Sequence, residues 1–242
     1  MDKMAILAAS GLRSRLESLD MLANNLANAN TSGFKSDQEM YGAYAGEAQE
    51  GQISTLPDVK GKWTNFAQGT LETTGNFSDL AISGEGFLAM KGPNGLLYTR
   101  DGHLRLDSKG GLTNSDGYPV VDEGGQPIRL TPNRPFEVDR NGAVRQDGTS
   151  SARIAVYTFP SAPALQKMGN SYFQANDAAG KPEISTEAEI HQGKIEASNV
   201  AAAESAVRLV TIMRQSEFLQ RAITLTSDMG KRTVEEIGRI GN

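Results

Sequence analysis

The chain opens on a heptad. Ala5, Ala9, Leu12, Leu16, Leu19, Ala23 and Leu26 alternate at spacings of four and three, which places them on one stripe of an α-helix. Asp2 is positioned to cap the start of this helix and Gly33 to stop it. Gly11 costs about 1 kcal/mol relative to alanine in its interior. A second helix is predicted from Asn199, a favoured N-cap residue, almost to the C-terminus. Val207, Val210, Phe218, Ala222, Leu225 and Met229 mark one apolar stripe on it; Leu209, Met213, Leu219 and Ile223 mark an adjacent one, and Arg214 interrupts the surface. A helix apolar on more than one side calls for more than one neighbour. The two helices would run roughly 40 Å and 60 Å. A compact domain of this size is about 40 Å across, so helices this long should project from it.

Between the helices the pattern changes. All nine prolines lie between Pro57 and Pro182, no aromatic precedes Phe34, and only Phe218 follows Phe173. Proline breaks helix interiors, so the ends can be helical and the middle cannot. Turn signals recur at Pro93-Asn94-Gly95, Asp101-Gly102, Gly110-Gly111, Asp116-Gly117, Gly124-Gly125, Asn141-Gly142 and Asp147-Gly148. Short apolar runs such as Phe87-Leu88-Ala89-Met90 and Val120-Val121 sit between them. Asn141-Gly142 reads as a two-residue hairpin turn, and residues 152–159 as the best single strand. Many short strands without intervening helices predict an antiparallel sandwich or barrel. Residues 36–68 have no clean period and read as an extended linker.

Composition removes whole classes of chemistry. With 24 Lys+Arg against 29 Asp+Glu, the net charge of −5 does not suit a non-specific nucleic-acid binder. No run approaches the ~18 apolar residues of a spanning helix. The absence of cysteine excludes disulfides, thiolate metal sites and cysteine nucleophiles. His103 and His191 are the only histidines, and there is no G-x-S-x-G or H-E-x-x-H. Gly84-Glu85-Gly86-Phe87-Leu88-Ala89 matches a dinucleotide fingerprint, but Gly92-Pro93-Asn94-Gly95 would end the required helix within a turn. The loops starting at Asp107 and Asp139 suggest calcium ligation, yet position twelve is Tyr118 and Ser150 where a bidentate Glu is needed. They read as turns of a β-meander. Lys3 followed by six apolar residues resembles a secretion signal, but the heptad runs straight through it, so it is read as helix. No catalytic, metal or cofactor site is expected, no small-molecule substrate and no nucleic acid.

Three separated blocks carry a resemblance. The first is Asn24-Asn25-Leu26-Ala27-Asn28-Ala29-Asn30-Thr31-Ser32-Gly33-Phe34-Lys35. The second runs from Gly69-Thr70-Leu71-Glu72-Thr73-Thr74-Gly75-Asn76 through residues 79–87 to Tyr98-Thr99-Arg100-Asp101-Gly102. The third is Gly193-Lys194-Ile195-Glu196-Ala197-Ser198-Asn199-Val200, with Ile195 where a leucine is usual. In this order they resemble the bacterial flagellar rod and hook proteins. The length and single β domain are similar to the rod members. Leu19-Asp20-Met21-Leu22-Ala23-Asn24-Asn25 departs from the wording of the distal rod type, which favours the proximal type.

The resemblance implies an α+β chain whose terminal helices form a coiled-coil-like pair, with a central, mainly antiparallel all-β domain. The corresponding segments are 1–35 (N-terminal helix), 36–75 (linker), 76–190 (β domain) and 191–242 (C-terminal helix). It implies a structural subunit of the flagellar basal-body rod that spans the periplasm, exported by the flagellar type III apparatus without a cleaved signal. Its partners would be other rod and hook-family subunits. The residues expected to carry assembly are Leu12, Leu16, Leu19 and Leu26 of the seam and Asn24, Asn25, Asn28, Gly33 and Phe34 of the first block. Ser198, Asn199 and Val200 of the third block, and Val207, Val210, Phe218 and Leu225 of the second helix, complete the set. The alternative is a coiled-coil-anchored extracellular binding module or phage-tail-like part built on the same stripes.

Overall fold

A computed structural model describes residues 3–46 and 54–240, with side-chain surroundings for residues 11–40, 61–225, 228 and 229. The Asp2 cap lies outside the described residues, as do the side chains of Ala5 and Ala9. The chain divides into two compact units. One contains Met1–Ala27, Asp37–Trp63 and Ala201–Asn242; the other contains Asn28–Ser36 and Thr64–Val200.

The first unit holds a helix from each end of the chain, α1 (Lys3–Ala27) and α2 (Ala202–Ile240), which are neighbours. It also holds β1 (Asp37–Gly46) and β2 (Ser54–Thr64), which pair as a two-stranded sheet. These strands occupy much of the stretch read from sequence as linker. Its residues mix Gly, Tyr, Lys and Asp without strict alternation, so no period announces the strands. Helix α1 ends at Ala27, before the Gly33 expected to stop it.

The second unit is mainly β, with short 3-10 turns at Ala162–Ala164 and Asp177–Ala179. In chain order it contains β3 (Leu71–Thr73), β4 (Leu80–Ser83), β5 (Phe87–Gly92), β6 (Gly95–Thr99), β7 (Leu104–Leu106) and β8 (Leu112–Asn114). There follow β9 (Glu137–Val138), β10 (Ala143–Gln146), β11 (Thr149–Arg153), β12 (Val156–Thr158) and β13 (Gln166–Gly169). The last four are β14 (Tyr172–Gln174), β15 (Glu183–Ile184), β16 (Glu189–Gln192) and β17 (Lys194–Glu196). The largest sheet has the order β13-β14-β6-β5-β12-β15, and its strand pairs are antiparallel. Strand β5 is buried on both faces. Leu88 and Met90 join Leu80, Ile82 and Leu112 in one core, while Phe87 and Ala89 join Tyr98, Phe159 and Phe173 in another. Double burial explains why residues 87–90 form an unbroken apolar run.

The 152–159 run differs from its reading as one strand. It is split between β11, in a three-stranded sheet with β10 and β9, and β12, in the six-stranded sheet. The chain changes sheet at Ile154 and Ala155, which enter the first and second core respectively. The two-residue hairpin turn is also displaced. Gln146 pairs with Thr149 around Asp147 and Gly148, at φ 53° and 78°, as a type I′ turn requires.

Asn141-Gly142 instead belongs to a turn that occurs four times, at residues 107–111, 114–118, 122–126 and 139–143. Each begins with Asp or Asn and has Gly in fourth place. In each, the leading Oδ1 accepts the backbone N–H groups two and four residues on, at 2.7–3.1 Å. The N–H of the glycine donates to the leading residue's carbonyl. The acidic loops suspected of calcium ligation thus direct this oxygen at their own backbone. Hydrogen bonds from Gly111 and Lys109 hold the Asp107 carboxyl below its ordinary range. A carboxyl with a lowered folded-state pKa contributes stability above its unfolded pKa and loses it as the pH falls through the folded value. Asp107→Asn, which copies the natural Asn114 version, is therefore expected to flatten the acid limb of a Tm-versus-pH profile below the ordinary carboxylate range, at pH under about 4. An unchanged limb would contradict this.

Candidate functional site

The three sequence blocks meet at one buried ionic clasp in the β unit. The side chains of Lys35 and Glu196 are fully buried and that of Arg100 nearly so. Lys35 Nζ donates to Glu196 Oε1 at 2.6 Å and to the Ala67 carbonyl at 2.8 Å. Gly69 N–H donates to the same Oε1 at 2.8 Å. Arg100 Nη1 donates to Glu196 Oε2 at 3.0 Å, and its Nη2 to the Gly84 carbonyl at 2.7 Å. The guanidinium lies 5.5 Å from the centre of the Phe87 ring. Desolvation pushes the Lys35 pKa down, against the opposing pull of Glu196.

The sequence places this chemistry by backbone approach. Gly33 N–H donates to the Glu196 carbonyl at 2.8 Å. A Cβ on Gly33 would lie 2.2 Å from Asp101 N, so residues 31–35 lie flat on the 100–101 peptide only because position 33 is bare. Phe34 is buried, with Lys167 Nζ 4.1 Å from its ring centre and hydrogen-bonded to the Lys35 carbonyl at 2.7 Å. Asn199, read as a helix cap, holds the two outgoing segments together instead. Its Oδ1 accepts Ser36 N–H at 2.8 Å, and its Nδ2 donates to the Asn65 and Ala67 carbonyls at 2.8 and 2.9 Å. Ser198 Oγ accepts Val200 N–H at 3.3 Å. Asn28 accepts the Thr31 hydroxyl at 3.2 Å. Every carboxylate oxygen of Glu196 is occupied, so the clasp ties chain segments together and leaves no open ligand position.

The helices supply the second feature. Asn25 exchanges two hydrogen bonds with the Asp37 backbone, at 2.8 and 2.9 Å, which fixes the start of β1 against α1. Among the described residues of α1 the buried ones are Ser18, Leu22 and Asn25. The heptad seam lies beside them: Leu12, Leu19 and Leu26 are half-buried, Asn24 is exposed, and Leu16 is 47 % exposed. On α2 the inward stripe is Ser205, Leu209, Ile212, Ser216, Leu219 and Ile223. Its Ser216 hydroxyl turns back to the Ile212 carbonyl. Val207, Val210, Phe218, Leu225 and Met229 lie on the far side and are 48–71 % exposed. The greasier of the two α2 stripes is thus the uncovered one.

Comparisons with known proteins agree with this layout. Residues 81–149, which hold all four repeated turns, match the flagellar hook protein FlgE/F/G D1 domain; residues 7–35 match the flagella basal body rod protein model. The flagellar basal-body rod protein FlgF of Caulobacter vibrioides is 34 % identical over 92 % of both chains. The chain belongs to the flagellar basal-body rod protein family. FlgF of Mesorhizobium japonicum is 31 % identical over 91 % of both chains. FlgG of Bacillus subtilis is 28 % identical over 90 % of this chain and 92 % of its own. Rod-family proteins are structural, and the exposed stripe and closed clasp suit that role. Among the described residues no three His, Asp or Glu side chains gather to hold a metal, and no helix is long and apolar enough to cross a membrane.

Proposed function

We propose that this rod-family chain assembles through its terminal helices, which pair in coiled-coil fashion and are covered by neighbouring subunits in a helical tube. In this reading the tube transmits torque and conducts exported subunits, and the chain reaches it through the flagellar type III export apparatus. Within the terminal segments 1–35 and 191–242, helices α1 and α2 serve assembly, while residues 28–35 and 191–200 belong with the β domain at 76–190 in the unit those helices carry. The observation that supports this is the uncovered stripe of α2, with Val207, Phe218, Leu225 and Met229 each 64–71 % exposed. Large exposed apolar stripes mark interaction surfaces. Burying one such side chain contributes on the order of 1.5–3 kcal/mol. A head-to-tail contact that does not close on itself repeats that gain along an open filament.

The test is Leu16→Asp and Phe218→Asp in the full chain. Both positions are exposed, so the melting temperature of the purified protein should move by no more than about 2 °C. Incorporation into basal bodies, measured by immunoblot of isolated particles, should fall to background. Normal incorporation of both variants would overturn the reading.

A further inference from the structure

The outer stripe of α2 is broken at its centre by a cation. Arg214 is exposed and, among the described residues, makes no ion pair. Val210 stands one turn before it and Phe218 one turn after, 48 % and 71 % exposed. Beside Phe218 lies a groove of about 340 Å³ lined by Arg15 of α1 and Arg214, Gln215, Phe218 and Leu219 of α2. It has two guanidinium groups and no carboxylate. Covering this surface with a purely apolar partner would bury Arg214 unpaired, which is costly. The occupant must therefore bring apolar side chains and a carboxylate at helical spacing.

The exposed part of α1 presents that combination. Leu16 is 47 % exposed, Asp20 follows one turn later, and exposed Ala23 comes one turn after that. Asp20 makes no ion pair among the described residues, whereas its neighbour Glu17 is held by Arg13 at 3.0 Å. The carboxylates of α2 among the described residues fit less well. Glu217 is paired with Arg221 at 4.0 Å, Glu204 precedes the stripe, and Asp228 is followed by Lys231 and Arg232, which would bring like charge to Arg214.

We propose that the occupant is a second copy of this chain: Leu16 of one copy enters the groove beside Phe218 of the next, and Asp20 meets Arg214. The donor surface is α1 and the acceptor groove lies on α2; made in one direction only, the contact is heterologous and propagates a filament, whereas made reciprocally by the same two copies it would close a dimer. This rests on the assembly reading above and gives it a direction and a specificity-determining pair.

Charge reversal tests the pair in the source bacterium, with the chromosomal copy replaced. Asp20→Arg alone and Arg214→Asp alone should each reduce basal-body incorporation roughly tenfold, and the double variant should restore it to within about twofold, the signature of a coupled pair. A double variant no better than the worse single one overturns the proposal. The chain has no cysteine, so Asp20→Cys and Arg214→Cys each introduce its one thiol. When the two are co-expressed and oxidised with copper phenanthroline, isolated basal bodies should contain a disulfide-linked pair with one chain of each kind. Basal bodies that contain both chains without that link would refute this docking and leave the rod reading standing. Absence of the unmutated chain from basal bodies would refute both.

Discussion

Glu196→Ala should destabilise the β unit by about 3–5 kcal/mol, because it strands two buried cations that share one carboxylate. Lys35 Nζ would keep only the Ala67 carbonyl, and Arg100 only the Gly84 carbonyl, as hydrogen-bond partners. The N–H of Gly69 would lose its acceptor as well. Lys35→Met is expected to cost much less, roughly 1–2 kcal/mol. It leaves Glu196 paired with Arg100 and accepting from Gly69, and it takes the charge of the three-residue cluster from +1 to neutral. The Ala67 carbonyl still receives Asn199 Nδ2 at 2.9 Å. Urea denaturation of the full chain, followed by circular dichroism and by the fluorescence of tyrosines such as Tyr98, Tyr157 and Tyr172 of the β unit, measures both. Equal losses in the two variants would show that the carboxylate is not the keystone of the clasp. The consequence for function is direct, since Glu196 and Asn199 tether the segments that lead to both helices.

How far the sequence reveals this architecture depends on the interaction concerned. The helices are legible because a heptad is a property of neighbouring residues, and so is the β character of a middle rich in Gly and Pro. The repeated turn is legible in the same way: Asp or Asn followed three places later by Gly states both its cap and its left-handed position. Which helix face is covered is not legible. Hydrophobicity ranks Val207, Phe218 and Leu225 above Ser205 and Ser216, yet the single chain buries the serine-bearing stripe and leaves the other exposed. The clasp is hidden for a different reason. Lys35, Arg100 and Glu196 lie far apart in sequence, and a charged residue in a short motif reads first as solvated. The signal that could have found them is the small residues around them, because Gly33, Gly69 and Gly102 allow backbones to close over the charges.

Gly102→Ala and Gly11→Ala are the same chemical change and should have opposite signs. A Cβ on Gly102 would lie 1.5 Å from the Leu80 carbonyl oxygen and 2.7 Å from its carbon. Both are backbone atoms of the strand start that donates Leu80 N–H back to the Gly102 carbonyl at 3.0 Å. Leu80 is fully buried in the first core, so it cannot retreat without opening that core. The substitution must part the two segments, breaking their hydrogen bond and dragging Arg100, two residues away, out of line with Glu196. Overpacking, a lost buried hydrogen bond and a disturbed ion pair together should cost on the order of 4 kcal/mol or more. Gly11 has open space where its Cβ would go and sits inside α1. There alanine should stabilise the helix by about 0.5–1 kcal/mol through propensity alone. Thermal melts of the two variants decide the matter: a folded, unperturbed Gly102→Ala protein would mean that the approach of Leu80 to Gly102 is not the contact that seats Arg100 in the clasp.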